Sequence, residues 1–348
     1  MTKSATGRFF EDFRLGEEIR HATPRTVTAG DVALYQALYG SRFALQSSDE
    51  FAKRMGNPAA PLDDWLVFHI VFGKSVPDIS FNAVANLGYA EGRFLAPVYP
   101  GDTLGAASQI IGLKETSSRK AGIVYVRTIG RNQRDEEVLS YARWVMVAKR
   151  SEASPAPEPV VPKLAAKLEA RALALPVEGF AEFDFAASGG RYRFGDYAVG
   201  ERIDHGAGTT IEEAEHQLAT RLYQNTARVH FDGRAQGETK FGRRLVYGGH
   251  IISIARALSF NGLENAVRVI ALNGGQHVAP SFAGDTAYAW SEVLETAEAP
   301  GRPDLGLLRL RTIGLKNRTA MGFPVQSLDG SYDPAVILDL DTWIALPR

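Results

Sequence analysis

The apolar positions of this chain follow two periods. Two stretches, Trp65 to Val76 (WLVFHIVFGKSV) and His250 to Phe260 (HIISIARALSF), are strongly apolar at helical spacing. In the second, Ile251, Ile252, Ala255 and Leu258 form one stripe, which predicts a helix with a buried face. Four stretches, AGIVYVRTIG, YARWVMVAKR, LGLLRLRTIG and AVILDLDTWIAL, alternate instead and predict half-buried strands. An apolar helix followed by antiparallel strands occurs twice. Each half is therefore expected to be α+β, a sheet wrapped around a central helix.

The halves are copies of one unit. FEDFRLGEEIRH, from Phe10 to His21, returns as FGDYAVGERIDH, from Phe194 to His205, a shift of 194 − 10, or 184 residues. Asn82 with its NAV returns at Asn265, and GDT at Gly101 returns at Gly284, both after 183 residues (265 − 82; 284 − 101). Matches in one order at nearly constant spacing mark a duplication. Between the copies, SEASPAPEPVVPKLAAKLEARALALP reads as an extended linker passing into a short helical stretch from Pro162 to Ala174. The expected division is 1–150 for a first repeat, 151–182 for the linker and 183–348 for a second repeat.

Composition narrows the function. The 348 residues are long enough for two domains, and 45% apolar with 23% charged side chains describes an ordinary globular protein. With 39 basic against 40 acidic residues, nothing draws the whole chain to nucleic acid or to an anionic membrane. The lack of cysteine excludes disulfides and thiolate chemistry. No apolar leader or membrane-length run occurs, so the expected location is the cytoplasm. No spacing matches a Walker loop, a dinucleotide fingerprint or a zinc helix, and no metal or cofactor is expected.

The segment YQNTARVHFD, 223–232, has neither period and carries His230 between Asn225 and Asp232. Directly before the second apolar helix stands LVYGGHIIS, with Tyr247, Gly248 and Gly249. The order of elements resembles the MaoC-like, or R-specific enoyl-CoA hydratase, family in its tandem (double) hot-dog form. That family's motif runs Asp, any residue, Asn, Pro, an aliphatic residue, His, in an overhanging segment before the central helix. Asn225, Thr226, Ala227, Arg228, Val229 and His230 stand in those places, so the histidine matches while Asn225 replaces the acid. Gly248 matches a second family signature whose histidine position holds Tyr247. In the first copy YGSRFALQ aligns with YQNTARVH, setting Ser41 opposite Asn225 and Gln46 opposite His230. The first copy has lost the motif.

The resemblance implies a hydro-lyase acting on an acyl-CoA that is itself the CoA carrier, with no separate cofactor, in a homodimer or higher homo-oligomer. Within the family, the length, NTARVHFD and YGGH resemble the branch that interconverts mesaconyl-CoA and β-methylmalyl-CoA, a branched C5 dicarboxylic pair. Hydration of such a thioester needs a base for water, for which His230 is suited near neutral pH. It also needs a donor for the thioester oxygen, and the Gly248 amide at a helix N-terminus is the candidate, with Gly249 beside it. Asn225 could orient the water, or Asp232 could supply the missing carboxylate. Arg228, with Arg42 and Arg93, is a candidate to bind the distal carboxylate. Hydration of another enoyl-CoA, thioester hydrolysis and non-catalytic acyl-CoA binding remain open, although HIISIARALSF carries no acid for a thioesterase. His69 and His250 read as structural histidines, Asp63 and Asp64 as helix caps, and the repeated GDT as a turn.

Overall fold

The computed structural model describes residue 3 and residues 7–348. The first repeat supplies β1 (Glu18–Thr26), β2 (Ala83–Phe94), β3 (Thr103–Glu115), β4 (Ala121–Arg131) and β5 (Glu137–Ala148). The second supplies β6 (Arg202–Asp204), β7 (Thr209–Thr210), β8 (Arg268–His277), β9 (Thr286–Glu298), β10 (Leu305–Lys316) and β11 (Val336–Pro347). All eleven belong to one antiparallel sheet. Its order is β1-β3-β4-β5-β2 through the first repeat and β8-β11-β10-β9-β6 through the second, the same path walked backwards. The halves join where β2 meets β8, with Tyr89 opposite Gly275 and Arg93 opposite Ala271.

Four helices of ten or more residues are present among the described residues: α1 (Ala29–Tyr39), α2 (Asp64–Ser75), α3 (Glu213–Leu222) and α4 (Gly248–Leu258). The two central helices, α2 and α4, cover the runs that apolar spacing predicts, shifted by one or two residues. A single core draws on both, with Leu66 and Ile70 of α2 packed among Ile251, Ile252 and Ala255 of α4. His69 and Ser253, 184 residues apart and so equivalent, meet with Nε2 to Oγ at 3.1 Å. Like positions touching places a pseudo-twofold axis between α2 and α4.

Some repeated polar groups serve structure alone. His21 Nε2 lies 2.7 Å from Ser108 Oγ, which bonds Thr128; His205 Nε2 lies 2.8 Å from Ser291 Oγ, which bonds Thr312. The network is the same in the copy that lost the motif. The repeated GDT turns through Gly101 at φ 100° and Gly284 at φ 91°, a conformation that favours glycine.

The linker departs from expectation. Pro162 to Ala174 holds only a 3-10 turn, Ala170–Ala172, rather than a helical stretch. The sheet takes the backbone groups a helix would use. Ala165 N donates to Glu91, Leu168 N to Asn273 Oδ1, and Leu168 O accepts from Trp343 Nε1. Side chains fixed on strands thus outcompete i to i−4 bonding in a segment whose flanking prolines already resist it.

Candidate active site

The segment after α3 is set by the end of α2. A Cβ on Gly73 would lie 1.9 Å from the Tyr223 carbonyl oxygen and 3.2 Å from the Asn225 amide, so only glycine admits this crossing. Gln224, at φ 52°, turns the chain, and Lys74 holds its side chain through Nζ to Oε1. Asn225 is buried, and its Oδ1 accepts from Ala227 N at 2.9 Å, an Asx turn. A 3-10 turn, Arg228–His230, follows.

His230 is fixed at both ends. Gln217 donates to its carbonyl, and its Nδ1 lies 2.9 Å from the Leu245 carbonyl oxygen. A carbonyl only accepts, so Nδ1 carries the proton and Nε2 presents a lone pair. Burial pulls the ring down to about 4 against the opposing effect of the Leu245 carbonyl, so it is neutral near pH 7. In this tautomer the neutral ring can accept a proton at Nε2. The Tyr247 ring stands edge-on to it at 5.5 Å.

Tyr247 precedes α4 and places no side-chain acceptor on its first turn, which leaves the leading amides, Gly248 and Gly249, uncapped. In the first repeat Asp63 occupies the position of Tyr247 and accepts from Trp65 N at 2.9 Å, closing the equivalent helix end. Asp64 is not a cap, as the sequence suggested; it binds Arg268 of the second repeat and accepts from Val269 N. The two ends differ in bulk as well. Trp65 packs on Phe94 at 5.6 Å in the first repeat, where the second has Gly249 and His277.

His277, at the end of β8, lies against the helix start: a Cβ on Gly248 would meet its ring at 2.3 Å. The direction a side chain would take from Gly248 is therefore filled by imidazole rather than open to a ligand. Its Nε2 is 3.2 Å from Tyr89 Oη of the first repeat. Neither residue is apparent from the motif. The usable signal is the asymmetry between GRFLAP and GQHVAP, where a buried Phe94 aligns with His277.

Several expected residues lie elsewhere. Asp232 is exposed, and its Oδ1 caps a short helix, Gly233–Gly237, by accepting from Ala235 N at 3.0 Å. It forms no bond with His230. Asn225 and His230 do not bond each other either. Arg228 is exposed over the Phe81 ring at 4.9 Å; Arg42 stacks on Phe260, and Arg93 donates to the linker carbonyl of Ala172. His250 Nδ1 bonds Tyr39 Oη at 2.8 Å, whereas His69 bonds Ser253 through Nε2 and has no partner at buried Nδ1. A void of about 30 Å³ lies beside Trp65, Ile252 and Arg256 and includes none of the candidate residues.

A family model for mesaconyl-CoA hydratase matches residues 2–327. The chain belongs to the mesaconyl-CoA hydratase family. It is 59% identical over 347 residues to a β-methylmalyl-CoA dehydratase of Chloroflexus aurantiacus, with 99% of each chain covered. It is 60% identical over 348 residues to a mesaconyl-CoA hydratase of Cereibacter sphaeroides, covering 99% of this chain and 100% of that one. A crystal structure from Chloroflexus aurantiacus, described as a MaoC domain protein dehydratase, superposes with TM-score 0.98 at 58% identity over 100% of this chain and 99% of that chain. A Mycobacterium tuberculosis protein with a double hotdog fold superposes at TM-score 0.77 and 25% identity, over 98% and 99%. Membership of the mesaconyl-CoA hydratase family makes this chain a hydro-lyase of tandem hot-dog fold. No described helix is long and apolar enough to cross a membrane.

Proposed function

We propose that the chain catalyses the reversible hydration of mesaconyl-CoA to β-methylmalyl-CoA, with His230 activating the water. The observation that carries this is the Nδ1 to Leu245 bond, which leaves Nε2 as a free acceptor near the uncapped start of α4. Water bonds to the β-carbon and gives a proton to Nε2. The π electrons move onto the thioester oxygen, where the Gly248 amide, aided by Gly249, stabilises the enolate. The imidazolium then returns its proton to the α-carbon on the same face. A ring whose pKa is drawn down to about 4 is unprotonated at the start and releases a captured proton readily.

Asn225 serves this reading through its amide, orienting water while its oxygen holds the turn; Asp232, spent on a cap, does not. The identity of two relatives by name supports the substrate. Hydrolysis of the thioester is disfavoured because α4, GGHIISIARAL, bears no carboxylate. In this proposal the chain is two repeats, 1–150 and 183–348, about the linker 151–182; it works in the cytoplasm without a cofactor, as a homodimer or higher homo-oligomer formed through the outer strands of the sheet. Replacing His230 with alanine tests it: hydration should fall by about 10²- to 10⁴-fold with CoA-thioester binding retained. Undiminished turnover would reject the assignment.

A further inference from the structure

Arg143, on β5 of the first repeat, is completely buried and forms no salt bridge with any described carboxylate. Its partners are neutral: Nη2 reaches Ser75 Oγ at 3.0 Å and Ser80 Oγ at 3.3 Å, Nη1 reaches Asn86 Oδ1 at 3.4 Å, and the guanidinium lies 4.3 Å over the Phe72 ring. Nε has no partner. An uncompensated buried cation is costly, and folded proteins seldom keep one without a counter-charge. The other two buried arginines of the interior, Arg256 and Arg268, face Asp63 and Asp64 respectively. Arg143 is the exception.

Its surroundings point to what is missing. Tyr247, Tyr141 and Tyr89 all interact electrostatically with Arg143. The hydroxyls of Tyr247 and Tyr141 are buried and make no hydrogen bond of good geometry. Burial raises all three phenols above their ordinary value, so they stay protonated and can donate. Two phenolic hydroxyls and a guanidinium N–H, all unpaired and all donors, describe a receptor for an anion. The receptor is also well placed. Ser75 and Ser80 mark the end of α2 that the Asn225 segment crosses, and Phe72, under Arg143, packs at a tilt against Tyr247 at 5.8 Å, which also contacts His230 at 5.5 Å.

We propose that Arg143, with the hydroxyls of Tyr247 and Tyr141, binds the distal carboxylate of the acyl group, so that the repeat without the motif supplies the specificity. This rests on the reading above that the substrate is a dicarboxylic thioester. In mesaconyl-CoA that carboxylate hangs on the carbon that water attacks. Fixing it would orient the double bond beneath His230. Arg228, Arg42 and Arg93 are then not the clamp.

The test is a comparison of two thioesters of one skeleton, mesaconyl-CoA and 2-methylbut-2-enoyl-CoA, which has methyl in place of the carboxylate. Their dissociation constants are measured by calorimetry in a His230→Ala background, where turnover does not interfere. The preference for the dicarboxylic thioester should fall by about 10- to 100-fold in Arg143→Gln and several-fold in Tyr247→Phe, with the uncharged thioester little affected. An unchanged preference, or equal loss for both thioesters, overturns the receptor. Should Arg143→Gln fail to fold, Tyr247→Phe and Tyr141→Phe decide, and an unchanged preference in both overturns it. Separately, wild-type protein that does not hydrate mesaconyl-CoA would defeat the functional reading; a preference for the acidic thioester that depends on Arg143 would survive that result.

Discussion

The hydroxyls of Tyr39 and Tyr223 lie 2.7 Å apart, and the two residues are separated by 184 positions, the period of the duplication. Equivalent side chains thus join across the pseudo-twofold axis, and each continues into a different network. Tyr39 also reaches His250 Nδ1 at 2.8 Å, while Tyr223 reaches Ser253 Oγ at 3.3 Å. A duplicated contact has been split into two roles without opening the seam.

That pairing should be visible as coupling. Tyr39→Phe and Tyr223→Phe each leave a buried hydroxyl short of a partner and should cost about 1–3 kcal/mol. The double variant should cost less than the two added together, because the hydroxyls are then both gone. Urea unfolding of the four proteins measures this, and strict additivity would contradict the contact.

Gly248 answers to His277. Adding a methyl group there meets the ring at 2.3 Å, and the imidazole is held by Tyr89, so Gly248→Ala should cost about 1–3 kcal/mol in stability and displace the leading amides of α4. In a His277→Ala background the same change should lose most of its stability penalty. Thermal melts of the single and double variants provide the check.

How far these relationships were legible in the sequence differs between fold and site. Period-two strands, two apolar helices and a constant repeat spacing needed no long-range information, and the sheet and central helices follow them. The helical expectation for Pro162 to Ala174 failed because residues far away, Glu91, Asn273 and Trp343, claim its backbone groups. The same limit applies at the site. His230 and Gly248 sit in a local motif, whereas Tyr89 and His277 come from β2 and β8, strands of different repeats that only long-range sheet pairing sets side by side. Asp232 shows the opposite error: close in sequence to His230, it caps another helix.

The repeats are also stapled by charge. Arg268 binds Asp64 of the first repeat and Glu178 of the linker, all three buried. Asp64→Ala leaves the guanidinium with a single carboxylate partner, and breaking a buried pair in this way typically costs about 3–5 kcal/mol. Asp64 and Arg268 share no hydrogen-bond partner with Arg143, so the thioester preference should persist in protein that remains folded. Denaturant melts together with the calorimetric comparison separate the two effects.

Acid should destabilise the protein before it silences the base. Burial draws His205, His230 and His277 down to about 4 and His250 to about 3, while the unfolded chain titrates them near 6.5. Below pH 6.5 the unfolded state therefore binds protons that the folded state refuses. Stability is complete above about pH 7, declines as the pH drops through 6.5, and goes on declining towards 4, by up to about 1.4 kcal/mol per pH unit for each such histidine. In the proposed role His230 works deprotonated, so kcat/KM should stay level from pH 8 down to about 5 for as long as the protein remains folded. Initial rates taken within seconds of a pH jump, set beside urea melts at each pH, distinguish the two responses. A rate that halves near pH 6.5 while the melts stay constant would mean that His230 titrates as an ordinary exposed imidazole.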